Sequence, residues 1–281
     1  MAGYRLLRPL GRGGLGEVFE AADPAGSSVA IKAFRLGDDD QGLAAAAFAR
    51  EAHLAQFLDH PDIVKVLHSG CAGEHAYLVM EFVPGHDLRH HTARDHLLPL
   101  GDVLSVAERI ARALAAAHAL GVVHRDIKPG NVLIDVPTDT VKITDFGVAK
   151  LGDVFRSRTG VIAGTPAYMS PEQLAEAAVG PASDLYSLGV MLFELLTGRL
   201  PHEASTMGAL LAQVAGQTAP RVSSFRADLP VALTTLVADL LNKPVERRPA
   251  DATWVADQLR AIRQTLASTT PHAMPGPKSR P

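Results

Sequence analysis

The sequence predicts an α+β chain of two lobes, a small β-rich lobe with one main helix followed by a larger helical lobe. Two observations carry that prediction. Up to about residue 83 the apolar residues fall in short β-rich runs separated by turn signals, with one helical stretch among them. Beyond that point they recur at helical spacing in one segment after another. Lobes of these two kinds leave a cleft between them, a common place for ligands.

Residues 4 to 34 read as strands. Val18-Phe19 and Val29-Ala30-Ile31 are the β-rich cores, and DPAGSS at 23 to 28 is the turn between them. LAAAAFAREAHLAQFL, 43 to 58, reads as a helix. Two more strands are expected near Ile63 to Leu67 and Ala76 to Phe82. In the second lobe Val103, Ala107, Ile110, Leu114 and Ala117 share a helical face, and Gly121 stands where a C′ glycine belongs. VLI at 132 to 134 and VKIT at 141 to 144 read as a short β pair. Helices are expected over 183 to 197, 203 to 215, 231 to 242 and 251 to 267. The predicted division is 1 to 83, 84 to 267, and a polar, Pro-rich flexible tail over 268 to 281.

The bulk numbers exclude several classes. At 281 residues and 47% hydrophobic content the chain can bury a core without a covalent staple. Its only cysteine, Cys71, rules out an intrachain disulfide framework, fits a reducing compartment and is expected to pack passively. A net charge of −3 leaves no nucleic-acid footprint. The opening MAGYRLLRPLGRGG has no apolar core of a signal peptide. The best apolar run, Leu185 to Leu196, is broken by Glu194 and falls short of the ~20 residues of a membrane helix. A soluble, cytoplasmic chain is expected.

Four stretches carry chemistry. GRGGLG, 11 to 16, is a G-x-G-x-x-G followed by EVFEAAD and a turn, so its glycines sit at a β-hairpin tip and not before a helix. Bare backbone N–H groups there can approach phosphates, although an ordinary glycine-rich hairpin reads the same way. In VAIK, 29 to 32, alternation puts Ala30 and Lys32 on one face, as a ligand cleft or a snorkelling edge lysine would have it. Glu51 falls on the inward face of the 43 to 58 helix, with Phe48, Ala55 and Leu58, and reads as a solvated helix glutamate or as a buried carboxylate that needs a partner such as Lys32. HRDIKPGN, 124 to 131, has neither helical nor strand period, and reads as a polar turn or as an acid, a cation and an amide converging on an anion.

In this order these elements resemble the eukaryotic-type protein kinases, specifically the bacterial Ser/Thr branch. The matching motifs are Gly11 to Val18, Lys32 of VAIK, Glu51, HRDIKPGN, DFG at 145 to 147 and SPE at 170 to 172, with Asp184 and Arg247 at later positions. They span about Tyr4 to Leu259 and imply the bilobal protein-kinase-like fold. Two departures are SPE in place of A-P-E and His86 where a second glycine is common.

The resemblance implies transfer of the γ-phosphate of ATP to Ser or Thr hydroxyls of proteins. Asp126 would orient the incoming hydroxyl, Lys128 would neutralise the γ-phosphate, and Asn131 and Asp145 would hold Mg²⁺, or Mn²⁺ in its place. Leu10, Gly11, Gly13, Gly14 and Gly16 would cover the nucleotide, and Lys32, held by Glu51, would bind its phosphates. Met80 would be the gatekeeper; the Glu81 carbonyl and Val83 N–H would bind adenine, with Val18, Ala30 and Leu133 on its faces. Thr165 would bridge towards Asp126 and Lys128 on the substrate side, and DIK implies Ser/Thr preference. Asp184 caps its helix or braces the catalytic loop. Arg247 would pair with Glu172, with Arg248 a competitor that sequence does not separate. His118 reads as a satisfied core histidine.

Ser157 and Thr159 lie between Asp145 and Glu172 beside Arg156 and Arg158. Phosphate on either could dock on Arg125 and order the segment, with autophosphorylation favoured at Thr159 and a homodimer for transfer in trans. Two rivals remain: a pseudokinase binding module, against which Lys32, Asp126, Asn131 and Asp145 are all present, and a small-molecule phosphotransferase, which would lack GTPAYMSPE and the Arg247 partner. Related bacterial kinases often carry a membrane anchor beyond such a tail, so the chain is also expected to suit the cytoplasmic part of a larger protein.

Overall fold

A computed structural model describes residues 3–13, 16–35, 41–72, 75–146 and 166–269. The chain builds a five-stranded antiparallel sheet in the order β1-β2-β3-β5-β4 from Arg5–Gly13, Gly16–Ala22, Ser28–Arg35, Val66–Ala72 (β4) and His75–Glu81 (β5). Its alternating residues separate into two layers. Ala30, Phe34, Leu78 and Met80 pack with Phe48 and Ala52 of α1 (Gln41–Gln56), while Ala21, Val29, Ile31, Tyr77 and Val79 pack on the other face. The Phe34 and Phe48 rings meet at 5.7 Å, and burial of each contributes about 2–3 kcal/mol.

A second sheet, β6-β7-β8, lies beside the cleft and comprises His86–Asp87, Val132–Asp135 and Thr140–Ile143. Around it are α2 (Leu100–Ala119), the short α3 (Pro171–Leu174), α4 (Pro181–Thr197), α5 (Met207–Gly216), α6 (Val231–Leu240) and α7 (Ala252–Thr269). Leu104, Ile110 and Leu114 of α2 share one core with Leu188 and Phe193 of α4, Leu233 and Leu240 of α6, and Leu259 of α7. Gly121 follows α2 as expected, donating its N–H to the His118 carbonyl at 2.9 Å.

Two expectations change. Ile63 to Lys65 are not part of β4. Asp62 is buried and takes Arg109 Nε at 2.7 Å, which draws the chain onto β8, where Val64 donates to the Ile143 carbonyl and Ile143 to that of Asp62, both at 2.8 Å. Pairing with β5 therefore begins only at Val66. Cys71 is exposed on β4 and is not packed. No helix of the described residues is long and apolar enough to cross a membrane. The expected tail beyond 269 lies outside the described residues.

Candidate active site

The loop of residues 124 to 131 hangs from one carboxylate. Asp184, fully buried in the first turn of α4, accepts the backbone N–H of His124 at 2.8 Å and of Arg125 at 2.7 Å. His118 Nε2 stands 2.8 Å from the same carboxylate, so it is a satisfied core histidine. Gly180 occupies the N-cap of α4, which leaves Asp184 the bracing role. The bracing holds Arg125 at a left-handed φ of 69°, a conformation costing a non-glycine residue about 1–2 kcal/mol. On its other side the Arg125 carbonyl accepts Gln173 Nε2 at 2.7 Å, tying α3 to the loop.

This twist presents the functional side chains. Asp126 Oδ2 accepts Lys128 Nζ at 2.7 Å and Asn131 Nδ2 at 2.9 Å. The same Nδ2 reaches the Asp126 carbonyl at 2.7 Å, so Asn131 Oδ1 is the atom left to face a cation. Beneath them His124 is fully buried, its Nδ1 accepting the Asp126 N–H at 3.2 Å. Nε2 therefore carries the proton and donates to the Thr144 carbonyl at 2.8 Å. Its ring meets Phe146 edge-on at 4.5 Å, joining the loop to the 145 to 147 motif.

Asp145 enters from the end of β8 with φ 69°, and Lys32 Nζ lies 2.7 Å from its Oδ1. Burial works against its charge, but the Lys32 ammonium outweighs that and holds the carboxyl below the usual range. Lys32 itself is buried on β3. Its expected partner Glu51 lies in α1, with a side chain outside the described residues.

Above this cluster β1 and β2 form the expected hairpin, with Gly13 opposite Gly16. A Cβ at Gly16 would stand 2.0 Å from the Ala33 carbonyl oxygen, so its glycine serves backbone packing. A Cβ at Gly11 would meet nothing within 4 Å; no contact inside the protein demands that glycine, and the open space suits a ligand. Val18, Val83 and Leu133 pack around buried Ala30 and Met80, forming an apolar floor. Leu10 is 40% exposed on β1. The Glu81 carboxylate turns away to Lys142 Nζ (2.6 Å) and the Lys65 N–H (2.8 Å), so Glu81 could face a ligand only through its backbone.

One expected pairing is corrected. Glu172 is held by Arg248, at 2.7 and 2.8 Å through the two terminal guanidinium nitrogens, while Arg247 is exposed. The turn Val245–Arg247 ends with Arg247 facing solvent, and the extended backbone of Arg248 directs its side chain inward. Gly14, Ser157, Thr159 and Thr165 lie outside the described residues. Sequence reasoning missed the roles of His124, Gln173 and Lys142. Only Gln173 had a signal: SPEQ is a capping box, and Ser170 and Gln173 do bond reciprocally at the start of α3.

Residues 4–260 match the family described as protein kinase domain. The chain belongs to that family. The kinase domain is 38% identical to the serine/threonine-protein kinase pkn2 of Myxococcus xanthus over 95% of this chain and 33% of that protein. It is 38% identical to PknA of Mycobacterium tuberculosis over 98% of this chain and 64% of the relative. The probable serine/threonine-protein kinase PknB of Lactococcus lactis is 34% identical over 88% of this chain and 40% of the relative. The chain thus spans between a third and about two thirds of these curated relatives. Among solved structures, Rad53 1-466 in complex with AMP-PNP superimposes with a TM-score of 0.77 at 26% identity, covering 91% of this chain and 64% of that one.

Proposed function

We propose that this kinase domain transfers the γ-phosphate of ATP to Ser and Thr hydroxyls of protein substrates. The observation that carries the reading is Asp126, its carboxylate held between Lys128 and Asn131 on a loop braced by buried Asp184. Asp126 aligns the incoming hydroxyl and accepts its hydrogen bond, while Lys128 neutralises charge beside it. Bound Mg·ATP supplies the phosphoryl group and the divalent charge, with Mn²⁺ able to substitute for Mg²⁺. Asn131 Oδ1 and the Asp145 carboxylate are the hard oxygens that would hold the metal. Lys32 and the backbone at Gly11, Gly13, Gly14 and Gly16 would hold phosphates. Ala30, Val18 and Leu133 would sandwich adenine, with hydrogen bonds from the Glu81 carbonyl and Val83 N–H.

The protein-substrate reading is supported by the segment before α3. Tyr168 donates to Glu194, Ser187 Oγ donates to the Tyr168 carbonyl at 2.8 Å, and Glu172–Arg248 anchors the next turn. Gln173 Nε2 ties the same turn to the Arg125 carbonyl next to Asp126, and Thr165 would bridge from the substrate side towards Asp126 and Lys128. The lobes divide at about residue 83, and a cytoplasmic site of action fits the free thiol of Cys71. Autophosphorylation at Ser157 or Thr159, in trans within a homodimer, would order the segment around Arg125.

Labelled-phosphate transfer to a generic protein substrate tests the reading. Asp126→Asn and Lys32→Met are each expected to lose about 10²–10⁴-fold while keeping native circular dichroism. Transfer to small alcohols alone, or nucleotide binding without any transfer, would overturn it. Mass spectrometry after incubation with ATP checks the regulatory part, which fails if no phosphate appears between 145 and 172.

A further inference from the structure

Four of the 12 histidines crowd between residues 86 and 96, in β6 and the stretch that follows it. β6 sets His86 opposite Ile134, and the turn Leu88–His91 brings His91 back over it, with the two Nε2 atoms 3.0 Å apart. The His91 Nδ1 stands 2.9 Å from the His96 carbonyl oxygen. A carbonyl only accepts, so Nδ1 carries the proton and Nε2 presents a lone pair to His86. His90 packs its ring edge-on against His86 at 4.6 Å, with its own Nδ1 3.2 Å from the Asp87 carbonyl.

With its proton on Nε2, His86 hydrogen-bonds to His91. With the proton on Nδ1, the other neutral tautomer, two lone pairs converge across a gap of metal-chelating size. Two imidazole nitrogens about 2.0–2.1 Å from one tetrahedral ion stand about 3.3 Å apart, so seating an ion asks for an opening of about 0.3 Å. A backbone carbonyl behind a ligating histidine is the usual companion of such a site, and His91 already has one. Asp87 is not available, because both its oxygens hold Arg89 at 2.8 and 2.7 Å. Among the described residues no group of three or more His, Cys, Asp or Glu is arranged to hold a metal, so the site offers two protein donors and leaves the other positions to water.

We infer that His86 and His91 form a two-histidine site for a borderline divalent ion of the zinc, nickel or copper class. Imidazole donors select such ions over Mg²⁺, which keeps the site chemically distinct from the carboxylate and amide oxygens around Asp145. An ion there clips β6 to the following turn. The next residue, Asp87, pairs with Leu133 of the apolar floor, so the clip stiffens the strand that borders that floor.

Calorimetric titration with Zn²⁺ in excess Mg²⁺ tests this without reference to phosphoryl transfer. The parent and the exposed control His75→Gln are expected to share one site that is at least about tenfold weaker in His86→Gln and in His91→Gln. Equal affinity in all four proteins would overturn the inference and leave the pair a plain imidazole hydrogen bond. Should either variant melt abnormally without metal, zinc-soaked crystals of the parent decide. An anomalous scattering peak between the two Nε2 atoms supports the site, and none there refutes it.

Discussion

Arg248→Ala is expected to destabilise the fold by about 3–5 kcal/mol, and Arg247→Ala by at most about 0.5 kcal/mol. The Arg248 side chain is fully buried, and every donor nitrogen is engaged. Two bonds reach Glu172, and the others reach the carbonyls of Ala182, Lys243 and Asn242 at 2.8, 2.9 and 2.7 Å. Its guanidinium also lies 5.0 Å from the Tyr186 ring centre. Truncation leaves Glu172 largely buried with Ser183 Oγ, at 2.7 Å, as its one remaining side-chain partner among the described residues. Burial raises the Glu172 pKa, but its bonds to Arg248 and Ser183 prevail and lower it from 4.5 to about 2. That drop corresponds to about 3 kcal/mol. Because the folded value is the lower one, this stability is fully present above about pH 4.5 and is lost as pH falls towards 2. Urea and thermal unfolding followed by circular dichroism at pH 7 and pH 3 measure both effects. Arg248→Ala should lower the melting temperature by about 10 °C and flatten the acid slope. Equal losses in Arg247→Ala and Arg248→Ala, or an unchanged acid slope, would refute the assignment.

Asp184→Ala should orphan the buried N–H groups of His124 and Arg125, cost about 3 kcal/mol in chemical denaturation, and reduce phosphate transfer at least about 100-fold through misplacement of Asp126. His202 is 5% exposed, and its Nε2 has no hydrogen-bond partner among the described residues. Burial, then the Lys243 charge, lower its pKa from 6.5, so the native state loses stability as pH drops below about 6.5. His202→Leu should gain about 1 kcal/mol at neutral pH and more in acid, and a melting curve with the parent's pH dependence would contradict this. Gly85→Ala would place a Cβ 2.1 Å from the Ile134 carbonyl at a φ of +101°, and thermal melting should show a loss above about 1 kcal/mol.

Much of the site was legible because its signals are local. Alternation within VAIK separates Ala30 and Lys32 from Val29 and Ile31 wherever the strand lies, and the two packing layers follow it. The glycine hairpin was readable from the β-rich residues after Gly16, and the helical lobe from its 3.6-residue period. The strand expected at Ile63 failed for a non-local reason: its apolar residues suit a strand, but the Asp62–Arg109 ion pair draws them onto β8.

The order of residue types along the chain therefore determined the lobes, the glycine tip and the grouping of Asp126, Lys128 and Asn131 on one loop, since each depends on neighbours a few positions away. Only the tertiary structure decided that Asp184 braces that loop instead of capping its helix, that Lys32 reaches Asp145, and that Arg248 and not Arg247 meets Glu172. Those pairings join residues far apart in sequence. Adjacent arginines are chemically equal until the backbone at the end of a turn sends one to solvent and buries the other, where an unpaired charge is too costly to leave.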